Sequence, residues 1–221
     1  MKIFNLESPF FQFLEKVADF FIVNVLTVLL FIPIITGGAA LTSAYKIMQN
    51  MVTKNEQPIF KTYFKTFFAE FKHSTVVWLL TLVVIAALVA NIFLVYINFS
   101  GNLGFLLYIL LSVATVVFLG ASTFAFPMIA RYENTLKQHL RNALLLSIAN
   151  LPKTLIILVM YAIPVALAIY NVAAFFNLSI IWIFIGISIT VYLATKIQQP
   201  IFDKLEEAAE ENEEALENAE N

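Results

Sequence analysis

Residues 73–130 read HSTVVWLLTLVVIAALVANIFLVYINFSGNLGFLLYILLSVATVVFLGASTFAFPMIA, with no Asp, Glu, Lys or Arg between Lys72 and Arg131. A run of this length holds two passes through a hydrocarbon core, since each pass needs roughly 20 apolar residues. The uncharged turn Asn98–Asn102 divides it into spans at about Thr75–Ile97 and Leu103–Phe126. A water-soluble helix keeps a wet face and does not exclude charge over such a distance. A second silent stretch, between Lys153 and Lys196, breaks near Phe176 and Asn177 into spans at about Thr154–Asn171 and Leu178–Thr195. A further hydrophobic run, Phe20–Ala44, lies between Asp19 and Lys46. The expectation is an all-α integral membrane protein of about five transmembrane helices with amphipathic interfacial helices. It divides into an amphipathic N-terminal segment (1–19), a five-span membrane domain (20–201) and an acidic cytoplasmic tail (202–221).

The composition agrees. Only 13% of the 221 residues are charged and the mean hydropathy is +0.86, whereas soluble domains carry about 25% charged residues. There is no Cys, which excludes disulfides, a thiolate nucleophile and Cys-based metal sites. Lys2, Glu7, Glu15, Lys16 and Asp19 are scattered among aromatics, unlike the short basic region and apolar core of a cleaved signal peptide.

Orientation follows from the basic residues. With five spans, Lys46, Lys54, Lys61, Lys65, Lys72, Arg131, Lys137, Arg141, Lys153, Lys196 and Lys204 share one side, and only Lys2 and Lys16 fall on the other. That bias predicts the N-terminus outside and the C-terminus inside.

Four segments are candidates for function. In Ile59–Lys72, Phe60, Tyr63, Phe64, Phe67, Phe68 and Phe71 recur at helical spacing, with Lys61, Lys65 and Lys72 largely off that stripe. Such a helix lies in the membrane interface, rings in the acyl boundary and lysines near anionic headgroups, or offers a docking face to a partner protein. In the N-terminal segment, Ser8 is a candidate N-cap and Pro9 a first helical residue, with Phe10, Phe13, Leu14 and Val17 on one face. In the first span, Pro33 removes a helical hydrogen bond and Gly37 and Gly38 weaken the helix. Thr36 is placed to satisfy a freed backbone group. That break reads as packing or a kink rather than as a transport site. Between Pro127 and Pro152, a cytoplasmic helix is expected with Arg131, Glu133, Asn134, Lys137, His139 and Arg141 in its polar part, and with a Glu133–Lys137 ion pair at i,i+4. Those polar groups solvate a loop or contact a partner. Glu133 and Leu151–Pro152 have the spacing of the ATPase-docking loop of ABC importer permeases, although Asn134, Thr135 and His139 stand where that loop has Ala, Ala and Gly.

Catalysis, cofactors and metals find no support. His73 and His139 lie in different segments without a helical His/Glu ligand pattern, and there is no phosphate-binding Gly loop. The expected spans contain no ionisable residue, where a pump would place one. The aromatic stripe of the basic helix is needed for its burial, so nucleic acid is not an expected ligand. The acidic run from Glu206 to Glu220 reads as a solvated tail or as a dock for a basic partner.

Three blocks carry a resemblance to a known family: LLFIPIITGGAALTSAY (29–45), YFKTFFAEFKHSTVVWL (63–79) and FPMIARYENTLKQHLRNALLLSIANLP (126–152). From Leu14 to Lys196 the chain resembles the YesL family of bacterial multi-pass membrane proteins. The Gly37–Gly38 pair departs from it, since a single Gly followed by a small residue is expected. The resemblance implies location in the bacterial cytoplasmic membrane. It also implies a non-catalytic accessory subunit of a carbohydrate ABC importer, with permease subunits, the ATPase and membrane lipids as partners. Two other readings stay open: a self-contained solute transporter or channel, and a scaffold or sensor acting through the acidic tail.

Overall fold

The computed structural model describes residues 9–55, 57–99 and 101–220, and helix dominates them. The order is α1 (Pro9–Phe31), a 3-10 turn (Ile34–Thr36), α2 (Gly37–Val52), α3 (Ile59–Ala69), α4 (Phe71–Asn98), α5 (Gly101–Arg131), α6 (Leu136–Ala149), α7 (Leu151–Tyr170), α8 (Val172–Ile181), a π-helical turn (Trp182–Gly186) and α9 (Ile187–Glu220). Lys2, Glu7 and the candidate cap Ser8 lie outside the described residues.

Among the described residues, four helices are long and apolar enough to cross a membrane: Phe71–Asn98, Gly101–Arg131, Leu151–Tyr170 and the continuous Phe175–Asn218. In the first three, only 11% of the most apolar window is buried. Val83, Phe93, Phe105, Leu110 and Val159 instead face outward, as helices do when lipid rather than protein surrounds them.

The first expected span is corrected. It is two helices, not one, because Pro33 has no amide hydrogen and its ring excludes the preceding turn. Residues 32–33 leave the helix, and the Thr36 hydroxyl donates to the carbonyls of Leu30 and Pro33 that the break frees. The chain then doubles back. Leu30 and Phe31 pack on Ala39 and Ala40, while Glu15, Lys16 and Asp19 share a cavity with Ile47, Asn50 and Met51. α1 and α2 are therefore an antiparallel hairpin whose two open ends lie together.

α2 is the axis of the core, buried almost continuously from Gly37 to Gln49. Its small residues let α4 approach closely: a Cβ on Gly38 would sit 2.2 Å from the Ser74 carbonyl oxygen and 2.6 Å from the Trp78 Cβ. Across this contact the Thr42 and Ser74 hydroxyls pair at 2.7 Å, and Trp78 Nε1 donates to the Ile34 carbonyl at 2.7 Å. Tyr45, Met48, Tyr63, Phe124, Ile129, Val191 and Phe202 complete the cluster around α2.

Side chains satisfy the backbone at two irregular places. Pro127 sits inside α5 and offers no donor to the carbonyl of Thr123. Gln198 Nε2 supplies one at 3.0 Å, and Gln49 Nε2 caps the Pro127 carbonyl at 2.9 Å. Next to the π-helical turn, the fully buried Asn24 donates to the carbonyls of Trp182 at 3.1 Å and Ile183 at 2.6 Å.

Candidate functional site

The polar end of the bundle gathers the charges that the long helices exclude. α5 ends at Arg131, and α9 passes beside it with Gln199, Asp203 and Glu206 spaced to share one helical face. Arg131 grips Glu206 with two bonds, Nε to Oε1 and Nη2 to Oε2, both 2.7 Å. It also donates from Nη1 to Gln199 Oε1 at 3.0 Å and from Nη2 to Asp203 Oδ1 at 3.4 Å. Its guanidinium carbon lies 5.4 Å from the Phe202 ring centre. A bidentate, charge-assisted pair against a ring is the strong form of an ion pair. The beginning of the acidic run is thus bound within the chain, while Glu207 to Glu217 stay exposed.

The aromatic stripe divides. α3 stops at Ala69 and α4 starts at Phe71, so Phe71 belongs to the next helix and is partly buried against Phe67. Tyr63 and Phe67 are buried. The Tyr63 hydroxyl donates to the Ala40 carbonyl at 3.1 Å and meets the Thr27 hydroxyl at 3.1 Å, which ties α3 to the hairpin. Phe60, Phe64 and Phe68 remain uncovered, at 56%, 36% and 72% exposure. Of the six candidate rings, three are available for contact.

Beside that row, α2, α3 and the end of α5 enclose a crevice of about 430 Å³. Lys46, Lys61, Lys65 and Arg131 line it, with Glu70 and Glu133 also on its wall. Burial, then the Arg131 charge and the Lys65 charge, push the Lys46 ammonium below its ordinary pKa, against an opposing pull from Glu70. Lys46 was not singled out by sequence, although it is the lone cation in an otherwise neutral run from Phe20 to Thr53.

Beyond the crevice, Glu133 and Asn134 lie in the non-helical connection 132–135. This corrects the Glu133–Lys137 pair, which does not form among the described residues. The helix starts later because Thr135 is its N-cap, in a capping box with Gln138. Lys137 and Arg141 are exposed on α6. α6 is unbroken at His139, where the docking loop of permeases would have Gly. His139 is 1% exposed, its ring centre 6.2 Å from that of His73, which in turn lies 3.7 Å from Glu70. Burial and then the His73 charge lower the His139 pKa.

At the helix break Gly37 and Gly38 are buried against Trp78 and Ser74, whereas Pro33 is exposed.

Neither the curated proteins nor the solved structures compared with this chain include a match. The stretch from the middle of α1 through most of α4, residues 20–92, matches the family model described as "Protein of unknown function, DUF624".

Proposed function

We propose that the chain is a non-catalytic membrane accessory subunit that associates with a carbohydrate ABC importer and modulates its assembly, stability or gating. The observation that carries this reading is a contrast between the two ends of the bundle. Between Lys72 and Arg131, and between Lys153 and Lys196, the long helices hold no Asp, Glu, Lys or Arg, so their apolar stretches lack the acidic and basic groups that couple transport to an ion. The polar end instead gathers charge, with Lys137 and Arg141 exposed on α6. Arg is enriched in protein contacts. The resemblance to the YesL family, whose genes adjoin those for carbohydrate importers, supplies the identity of the partner.

The topology belongs to the same proposal. Four crossings and a hairpin that folds back put the start of α1 and the end of α9 on one side. Every Lys and Arg among the described residues, Lys16 included, then falls on that side, and the two connections opposite carry no charge. The positive-inside rule makes this side cytoplasmic, with the N-terminus inside rather than outside.

Extraction of the tagged protein in mild detergent, with mass spectrometry of what co-purifies, tests the function. ABC permeases and an ATPase in fixed ratio support it. Recovery of this chain alone across several gentle detergents, with solute uptake in liposomes holding only this protein, replaces it by a self-contained transporter.

A further inference from the structure

We propose that the crevice between α2, α3 and the end of α5 binds the phosphate headgroup of an anionic phospholipid, with its acyl chains over the adjacent Phe60–Phe64–Phe68 row. Arg131 is committed to Glu206 and Asp203. Lys46, Lys61 and Lys65 are not: none has a carboxylate within ion-pair distance among the described residues. Three ammonium groups around one concavity of about 430 Å³ repel one another, and a bound anion relieves that repulsion. Burial first, and then the Arg131 charge, push the Lys46 ammonium below its ordinary pKa. Glu70 and Glu133 on the same wall leave a modest net positive charge, suited to one phosphodiester rather than to a polyanion.

The source of the phosphate follows from α3. Lys61 and Lys65 are four apart, and each directly follows a member of the exposed row Phe60, Phe64 and Phe68. A cation row flanking an aromatic row along one helix matches the step from headgroup to acyl chain at a bilayer surface. A soluble phosphate ester has no use for the rings.

The test uses the full chain, purified in neutral detergent and reconstituted in nanodiscs of phosphatidylcholine with or without phosphatidylglycerol. Native mass spectrometry after release counts retained lipid. The expected result is preferential retention of one phosphatidylglycerol, reduced about tenfold by Lys65→Gln or by Lys46→Gln with Lys65→Gln. Lys137→Gln with Arg141→Gln removes as much charge outside the crevice and leaves retention unchanged. Lys65 is exposed, so its single variant folds even if the double variant does not. Equal retention of neutral and anionic lipid overturns the proposal, as does an equal loss in the Lys137/Arg141 control. Saturable binding of inorganic phosphate without any lipid preference overturns it in favour of a soluble phosphate ester.

Discussion

Asn24 stands inside the hydrogen-bond ladder of another helix: its Oδ1 accepts the backbone N–H of Ser188 at 2.9 Å while its Nδ2 donates to the Ile183 carbonyl. Ile183 and Ser188 are five apart, the spacing a π-helical turn would bond directly. The amide of Asn24 is interposed between them, so α1 is held to the long terminal helix by groups that would otherwise be orphaned away from water.

Replacing Asn24 by Leu keeps the volume and removes the clamp. An unsatisfied buried donor or acceptor costs about 1–3 kcal/mol, so Asn24→Leu is expected to lower the thermal midpoint in detergent clearly, and Asn91→Leu, on the outer face of α4, to leave it unchanged. Equal midpoints for the two variants would sink the clamp.

Gly38→Ala places a methyl against the backbone of Ser74, which cannot rotate away. Gly120→Ala meets side chains rather than backbone, the Thr154 methyl at 2.8 Å and the Ser147 Cβ at 3.6 Å, which have a softer response. Overpacking of this kind costs about 1–3 kcal/mol. Gly38→Ala is expected at the upper end of that range and Gly120→Ala at the lower, read as paired thermal melts.

The Arg131 clamp predicts where the acidic helix detaches. Arg131→Gln leaves Glu206 and Asp203 without their cation, and the segment beyond Phe202 is expected to become several-fold more susceptible to limited proteolysis. Lys204→Gln, which removes the same charge from an exposed position, is expected to leave the cleavage pattern unaltered.

His139 predicts a pH dependence whose sign is fixed. Its pKa in the folded protein lies below the ordinary value of 6.5. The unfolded chain therefore takes up a proton first as pH falls, and the associated stability is present above about 6.5 and is lost through the window below it. Thermal midpoints are expected to fall between pH 7.5 and 5.5, and His139→Asn is expected to flatten that change.

The absence of Cys makes the topology directly readable by single-cysteine labelling with an impermeant maleimide. Gln12→Cys, Lys137→Cys and Asn212→Cys are expected to label from one side of the membrane and Asn102→Cys from the other. Labelling of Gln12→Cys together with Asn102→Cys would restore the fifth span.

The four long helices were legible because one buried charge is prohibitive in hydrocarbon, so the silences from Lys72 to Arg131 and from Lys153 to Lys196 leave few alternatives. The hairpin was not. Phe20–Ala44 satisfies the length and charge of a span, and only the pairing of α1 with α2 reveals that Pro33 is a reversal. On α3 the periodicity marks a helix, but which rings are buried depends on where α2 lies, a long-range fact. The start of α6 was written in Thr135 and Gln138, a capping box that the apparent Glu133–Lys137 spacing obscured. The partners of Arg131 were hidden for a different reason: an acidic run gives no sign of which of its members is spent internally.

From Ile187 to Glu220 the chain runs as one helix, with Pro200 inside it, about 50 Å long at 1.5 Å per residue. It is a lever whose fulcrum is the grip of Arg131. A tilt of a few degrees about that point displaces the acidic end by a few ångström, so small rearrangements among the buried helices are magnified at its exposed acidic residues.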